Sequence, residues 1–540
     1  MSQISTLEII SGSLFTGLLV AHILLRTYYS RDRGLRLPPG PRPLPFIGNI
    51  HQFSTEYQEE TLLQWGLKHG PLIYARFFGT PVLVINSLTI AHDLLEKRSA
   101  RFSDRPRFVI LNESMGWRAI FTWKKPDGVF RRHRRWLSDT FQKSVVKDYQ
   151  SLQLRELHIL LSGLIAKPEQ YSSHFKRFIG AILMQIAYGH VVTSDNDKYI
   201  TVADETLLKI VRFGSPGTTM ADFWPACKCI HPSKSDINTE FISVAYLPAW
   251  VPGAGFKRHV TEVRTLVRKM IDRPYEMVHE ALASGTALPS FTASLIKRLS
   301  NKGSLTTEDA NDIKEVAAIV YGAGTDTTNA ILASFLLAMV MYPEVLKKAR
   351  YEIDSCIGQD RLPGFGDRGS LPYLECVLLE LYRWRPALPL AIPHMTSSSE
   401  VYSGYDIQAE TLIIPNAWAM SRDPKLFPDP EAFYPERFEG VDPNDLGERD
   451  SRKFAFGFGR RVCPGRDLAD GTIWLTMANM MVTLDITRII DAAGEEVVPS
   501  GARTSGFVEH PVEFSCSIKP RSTKALKLIS QMETGLNEHN

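Results

Sequence analysis

The sequence predicts a mainly α-helical body with small β-sheets, preceded by one N-terminal transmembrane helix. Three patterns predict it. From Leu88 onward, apolar residues recur at helical spacing over long stretches. Short β-branched runs are confined to Leu72–Asn86 and Glu400–Ile414, so the sheets are small and lie toward each end of the body. From Ile9 to Leu25 the chain carries no charged residue. The 540 residues are 44% hydrophobic and 22% charged, ordinary values that exclude global disorder. A mean hydropathy of −0.11 excludes a multi-span membrane protein. A formal net charge of +3 gives no reason to expect a nucleic-acid partner.

Each element follows from its residues. The segment IISGSLFTGLLVAHILL reaches about 26 Å as a helix, a little short of the ~30 Å hydrocarbon core. Leu7 and Glu8 lengthen it. Arg26, Arg31, Arg33 and Arg36 follow, and no Lys or Arg precedes it. The positive-inside rule therefore places the N-terminus in the lumen and the bulk in the cytosol. A cleaved signal peptide would need a basic stretch before the apolar core, so a retained anchor is the preferred reading. Residues 1–36 are read as anchor and stop-transfer segment, 37–522 as the catalytic body and 523–540 as a polar C-terminal tail. In Leu37–Asn49 the prolines 38, 39, 41, 43 and 45 fix φ and predict a stiff strap. Leu72–Phe78 and Thr80–Asn86 read as strands joined at a glycine. Helices are expected at Ser144–Ala166, His174–Tyr188, Lys257–Leu282, Thr307–Met341 and Leu371–Arg383, and Pro274 is expected to kink or break the third. Asn112-Glu113-Ser114 matches a glycosylation acceptor, unused if the bulk is cytosolic.

The chemistry concentrates near Cys463. Phe456-Gly457-Phe458-Gly459-Arg460-Arg461-Val462-Cys463-Pro464-Gly465 precedes an apolar helical run. Gly457, Gly459 and Gly465 permit tight turns and close approach, and Pro464 stands where a first helical residue would be. A cysteine just before a helix N-terminus, with Arg461 two residues away, favours a thiolate suited to a single bond to iron. A nucleophilic cysteine would need a His base, and none lies in the loop. A core cysteine would not require the whole pattern F-x-x-G-x-R-x-C-x-G. At every defined position this string resembles the haem-binding loop of the cytochrome P450 family. The resemblance implies that fold, haem b as cofactor, and Cys463 as the axial thiolate that favours O–O cleavage. It also places Phe456, Gly459, Gly465 and Arg461 against the cofactor.

A second motif lies in the long helical pattern, Ala323-Gly324-Thr325-Asp326-Thr327-Thr328. Ala323 and Thr327 share a face, and the Thr327 hydroxyl can bond back to the carbonyl of residue 323. A Thr-rich packing face alone would explain such a run. Beside Cys463 it resembles the family's oxygen-binding segment, which implies catalytic roles for Ala323, Gly324, Asp326 and Thr327. There the acid–alcohol pair manages the protons that dioxygen activation consumes. Glu380 and Arg383 are three apart in an apolar run, and Pro435-Glu436-Arg437-Phe438 follows downstream. They resemble the family's ion-pair network, which implies a folding role for Glu380, Arg383 and Arg437. Phe130-Arg131-Arg132-His133-Arg134 departs from the family's W-x-x-x-R by carrying Phe130 for Trp, so an indole donor is lost. Arg134 and His394 are implied as contacts to the haem propionates. The pocket is implied to draw on Phe102 to Phe121, Phe213 to Met220, Leu388 to Ile392 and Ser505 to Val508.

No flavin domain is recognisable, so the resemblance implies a separate NADPH-cytochrome P450 reductase, with cytochrome b5 as an optional second donor, at the endoplasmic reticulum membrane. The substrate is expected to be small and apolar. WVPGAGFKR, NAWAMSRDP and GFVEHPVEF look most like fungal microsomal members, including the O-methylsterigmatocystin-oxidoreductase-like group. Two other classes stay open, an isomerase or dehydratase of the same fold and a non-catalytic haem-binding protein. The six cysteines form no C-x-x-C pair, which suits a reducing compartment. Cys229 to Ala245 interrupts a stretch that relatives run through directly. It is read either as a loop near the substrate entrance or, preferably, as a short unspliced intron translated in frame.

Overall fold

The computed structural model describes residues 34–117, 121–194, 196–211, 256–442 and 445–537. The anchor at 9–25, the stretch Phe213 to Met220 and the atypical Cys229 to Ala245 lie outside the described residues.

Helices dominate, as the periodicity requires. The principal ones are α1 (Gln58–His69), α2 (Gly128–Phe141), α3 (Gln150–Ala166), α4 (Tyr171–Tyr188), α5 (Lys198–Val211), α6 (Phe256–Ala283), α7 (Phe291–Ser300), α8 (Thr307–Met341), α9 (Pro343–Cys356), α10 (Pro372–Trp384), α11 (Arg466–Thr483) and α12 (Thr523–Asn537). Helix α8 starts at a capping box: the Thr306 hydroxyl accepts from the Asp309 amide, and the Asp309 carboxylate accepts from the Thr306 amide. By length and composition α8 could cross a membrane. Yet 78% of its most apolar window is buried inside the body, with α4, α6, α7 and α11 packed against it. It is the core helix around which the rest is built.

Two expectations need correction. The predicted helix from Ser144 begins at Gln150, after a short helix Lys143–Val146 and a single 3-10 turn. Helix α6 runs through Pro274 without a break.

The main sheet has the order β1 (Leu72–Phe77), β2 (Thr80–Ile85), β6 (Leu412–Pro415) and β3 (His394–Met395). Its β1–β2 hairpin is antiparallel, β2 pairs parallel with β6, and β3 returns antiparallel. Two-stranded ribbons are β4 (Glu400–Tyr402) with β5 (Tyr405–Ile407), β8 (Ile489–Ile490) with β9 (Glu496–Val497), and β7 (Leu484–Thr487) with β10 (Ser517–Pro520). The Pro-rich strap is bound to the sheet. The Tyr74 amide donates to the Pro39 carbonyl at 3.0 Å, and the Asn49 amide to the Arg76 carbonyl at 2.6 Å. A Cβ at Gly40 would stand 1.9 Å from the Tyr74 carbonyl oxygen, so only glycine lets the strap lie this close. The C-terminal segment is helical in α12, with Ala525 and Ile529 buried. Asn112 is itself buried, which makes it a poor glycan acceptor in either compartment.

Candidate active site

Helices α8 and α11 and the loop before α11 enclose an apolar cavity of about 260 Å³. The loop is folded by its glycines. Gly457 and Gly459 take φ of +77° and +52°, and a Cβ at Gly459 would meet the Leu95 carbonyl oxygen at 2.1 Å. Gly465 has an ordinary φ and open space where a Cβ would stand, so the tight turn and close approach expected of it do not require glycine there. The Cys463 amide donates to the Phe456 carbonyl at 2.8 Å, which closes the loop and turns the cysteine to the cavity. Helix α11 begins at Arg466 with Gly465 as N-cap, so Pro464 stands one residue before the cap and not at the first helical position. Burial pushes the Cys463 thiol up. The Gly465 amide and the charges of Arg134 and Arg466 oppose that rise. The surroundings alone therefore do not make a thiolate; coordination to a cation would.

Across the cavity, Ala323, Gly324, Thr327 and Thr328 line the wall. The Thr327 hydroxyl donates to the Ala323 carbonyl at 2.8 Å, the back-bond expected from the spacing. Gly324 also makes room for α4: a Cβ there would stand 2.7 Å from Leu183 Cδ1. Asp326 is not among the lining residues. Its carboxylate accepts from His510 Nε2 at 3.0 Å.

The basic residues form a cluster at one end. Arg461 donates from Nε to the Ser103 carbonyl at 2.8 Å and from Nη2 to the Lys124 carbonyl at 2.7 Å. Its remaining nitrogen, Nη1, is buried with no hydrogen-bond partner. Burial lowers the Arg461 guanidinium to about 10. Phe130 stacks on Phe121 at 4.8 Å and lies 3.9 Å below the Arg461 guanidinium carbon. The residue in the tryptophan position thus holds the arginine through its ring face. Arg134 donates from Nη1 to the Val462 carbonyl at 2.6 Å, so part of it braces the loop beside Cys463. His394 is buried, and its Nδ1 donates to the Phe102 carbonyl at 2.7 Å. Burial, then the Arg105 charge, holds its imidazole well below the ordinary range, so Nε2 is an acceptor until an anion arrives to favour the imidazolium.

Arg105 falls inside the implied pocket segment Phe102 to Phe121, but its place in the basic cluster was not anticipated. It is buried, lines the cavity, and is tied to the Thr122, Ile392 and Pro393 carbonyls. Burial, then the nearby Arg461, pulls its guanidinium well below the ordinary range. The only sequence signal was one Arg in Ser103-Asp104-Arg105-Pro106, which no period distinguishes. From the implied pocket segments, Arg105, Phe121, Leu388, Ala391 and Ile392 line the cavity. Ser505 to Val508 do not; Ser505 accepts from the Tyr57 amide instead.

Behind the site, Glu380 and Arg383 are fully buried, with Arg383 bonded through two nitrogens at 2.7 Å each. Arg437 Nε reaches the same carboxylate at 3.0 Å, and the Tyr434 amide adds a donor at 2.8 Å. The remaining guanidinium donors go to the Ser421, Pro428, Pro430 and Ala432 carbonyls. Two guanidiniums share one carboxylate, and the carbonyls take up the donors that the carboxylate leaves over, the hydrogen-bonding condition under which buried ions are tolerable.

The donor set fits a haem. A cysteine at the floor can take the iron. The apolar walls suit a flat macrocycle, and two buried guanidiniums with an orphaned Nη1 suit carboxylates. Comparison with known proteins agrees. The cytochrome P450 family profile matches residues 38–490. Cytochrome P450 monooxygenase 176 of Postia placenta is 40% identical over 526 residues, 97% of each chain. Cytochrome P450 monooxygenase 136 of the same fungus is 40% identical, covering 94% of this chain and 93% of its own. Cytochrome P450 monooxygenase claR of Ampulloclitocybe clavipes is 36% identical, covering 94% and 90%. With the haem-thiolate loop, the oxygen-side helix and the match over nearly its whole length, the chain belongs to the cytochrome P450 family and is a monooxygenase with a haem-thiolate cofactor.

Proposed function

We propose that the enzyme hydroxylates or epoxidises a small apolar substrate at the cytosolic face of the endoplasmic reticulum, held there by residues 9–25 and supplied by a separate NADPH-dependent reductase, with cytochrome b5 as an optional second donor. The observation that carries the substrate class is the cavity wall. Ile319, Val320, Ala323, Leu388 and Ile392 offer no polar group, and the charged residues belong to the propionate end. A substrate here gains mainly from leaving water, and the Thr327 and Thr328 hydroxyls on the wall carry no charge to repay the desolvation of a charged group. Terpenoid, polyketide and aromatic scaffolds share that property. The O-methylsterigmatocystin-oxidoreductase-like subgroup rests on WVPGAGFKR, NAWAMSRDP and GFVEHPVEF alone.

When bound, the haem supplies binding and reductive activation of dioxygen; one oxygen atom enters the substrate and the other leaves as water. The protein's part is division of labour. Cys463 holds the iron, with Arg134 bracing the loop. Arg105, Arg461 and His394 Nε2 are placed for the propionates. The Thr327 hydroxyl, anchored on the Ala323 carbonyl, holds a proton at the cavity wall. The apolar lining excludes bulk water.

The test has two parts. Microsomes carrying the chain should give a thiolate-type Soret band in the carbon monoxide difference spectrum, and Cys463→Ser should abolish it. With reductase, NADPH and labelled dioxygen, a panel of apolar probes should yield product containing one labelled oxygen. Turnover that needs neither NADPH nor dioxygen would overturn the reading in favour of an isomerase or dehydratase. Carbonate-resistant membrane association, lost on removing residues 1–36, tests the anchor.

A further inference from the structure

Asp326 does not face the cavity, although it adjoins Thr327. Its Oδ1 lies 3.0 Å from His510 Nε2, on a hairpin 184 residues away. A carboxylate can only accept, so Nε2–H is the donor and Nδ1 is left for solvent. Both side chains are partly exposed, 26% for His510 and 23% for Asp326, so the pair spans from bulk water to the helix turn that carries Thr327.

The hairpin is fixed too firmly for this contact to be incidental. The Thr504 amide donates to the His510 carbonyl at 2.8 Å, and the His510 amide returns to the Thr504 hydroxyl at 3.0 Å. The next residue back, Glu509, is buried and pairs with Arg385 at 3.1 Å and Arg503 at 2.9 Å. Arg503 in turn holds Glu59 and Glu60 of α1. Around the pair, α5 contributes Asp204 and α4 contributes Lys176, which are 3.9 Å apart. Burial pushes the Asp204 carboxyl up, Lys176 opposes, and Asp326 adds to the rise. Glu509 faces its two arginines and not the imidazole.

We propose that His510 is the positioning residue for Asp326, holding its carboxylate through Nε2–H and serving as the point where protons enter from solvent toward Thr327. Proton balance is simple. Solvent adds a proton at Nδ1, the Nε2 proton passes to Asp326 Oδ1, and exchange with solvent returns the ring from its Nδ1–H form to its Nε2–H form, so no imidazolate is formed. A lysine or arginine could hold the carboxylate, but an imidazole also exchanges its proton near neutral pH. The proposal rests on the dioxygen chemistry of this site.

The test uses the haem-loaded full chain and the variants His510→Gln, His510→Leu, Asp326→Asn and the Leu/Asn double variant. The carbon monoxide band should stay intact in all, which reports an undamaged haem site. In urea unfolding, the double-mutant cycle should show a coupling of about threefold or more in the unfolding constant. With reductase and NADPH, and no added substrate, His510→Leu should slow oxygen-dependent NADPH oxidation roughly tenfold or more and raise its solvent deuterium isotope effect. His510→Gln, which retains an N–H donor, should restore the unfolding coupling but not the oxidation rate. The double variant should be no slower than Asp326→Asn. Additive effects, an unchanged isotope effect in His510→Leu, or no unfolding coupling would each overturn the proposal. Coupling in unfolding without any kinetic change would reduce the pair to a structural contact and overturn it too. If the wild-type chain has a normal band but consumes no NADPH, the dioxygen reading itself falls, and the proton-entry role falls with it, while the unfolding cycle still decides the contact.

Discussion

Arg461 is the residue on which the cofactor end turns. Two of its nitrogens are spent on the Ser103 and Lys124 carbonyls, its face rests on Phe130, and Nη1 is buried without a partner. A buried donor left unsatisfied costs about 1–3 kcal/mol, so the site is better satisfied when an anion occupies it. Arg461→Leu should therefore weaken haem retention, read as faster haem transfer to apomyoglobin, and should also cost the apoprotein stability, because the Ser103 and Lys124 carbonyls lose their donor. Phe130→Leu should weaken retention in the same direction but less, because the carbonyl anchors of Arg461 remain. Part of this was legible. Arg461 was placed from its motif, and Phe130 was recognised as a departure, but its ring's cation–π role was not. Arg105 lay within an implied pocket segment, but its role had no signature, because its partners at Ile392 and Pro393 are nearly 290 residues away.

Among the elements, α8 forms the cavity wall across from Cys463, and its sequence announced both its bounds and the Thr327 back-bond. Thr307–Met341 appears as expected because a capping box starts it and the apolar pattern persists on all sides. Two neighbouring residues in it should separate by their effects. Gly324→Ala pushes a methyl into Leu183 on α4 and should cost about 1–3 kcal/mol in unfolding with the haem spectrum retained. Thr327→Ala removes one hydroxyl and its back-bond, so stability should hardly change while more reducing equivalents end as peroxide than as product. Helix α8 also meets α2 at a buried charge cluster. His133 is fully buried 3.0 Å from Asp312, beside Arg132 and Lys124. Burial, then the two cations, lowers His133 from its ordinary value to about 3. The unfolded chain then binds a proton that the folded chain refuses between about pH 6.5 and pH 3. His133 thus leaves stability untouched above pH 6.5 and erodes it as pH falls through that window. His133→Phe, which keeps the stacking on Trp136, should show a shallower loss of unfolding free energy with acid. The Glu380 network is the third case. Glu380→Ala strands Arg383 and Arg437 and should cost about 3–5 kcal/mol. The ion pair was visible as an i, i+3 spacing, but the carbonyls that complete it come from residues 421–432 and carry no signature of their own.

At the scale of the whole molecule, the body is a continuous core wrapped on α8, and a relative matches 97% of the chain. Against that continuity, Cys229 to Ala245 stands out as a mostly polar stretch without helical or strand period. The sequence reading prefers translated intron sequence as its origin, with a loop near the substrate entrance as the alternative. A surface loop of this length costs little thermodynamically, since closure entropy grows only with the logarithm of length. Stability alone therefore cannot separate an intron from a loop; assembly of the haem site and the transcript can. Deleting Cys229–Ala245 should raise the yield of carbon monoxide-binding protein severalfold if the segment is an intron, and the mature message should lack its codons. Equal yields with and without the segment, together with a message that retains those codons, would make it a true loop of the enzyme. Because α5 and α6 flank the segment and pack against each other, with α6 on α8, any gain should also appear as a higher unfolding midpoint of the haem-loaded chain.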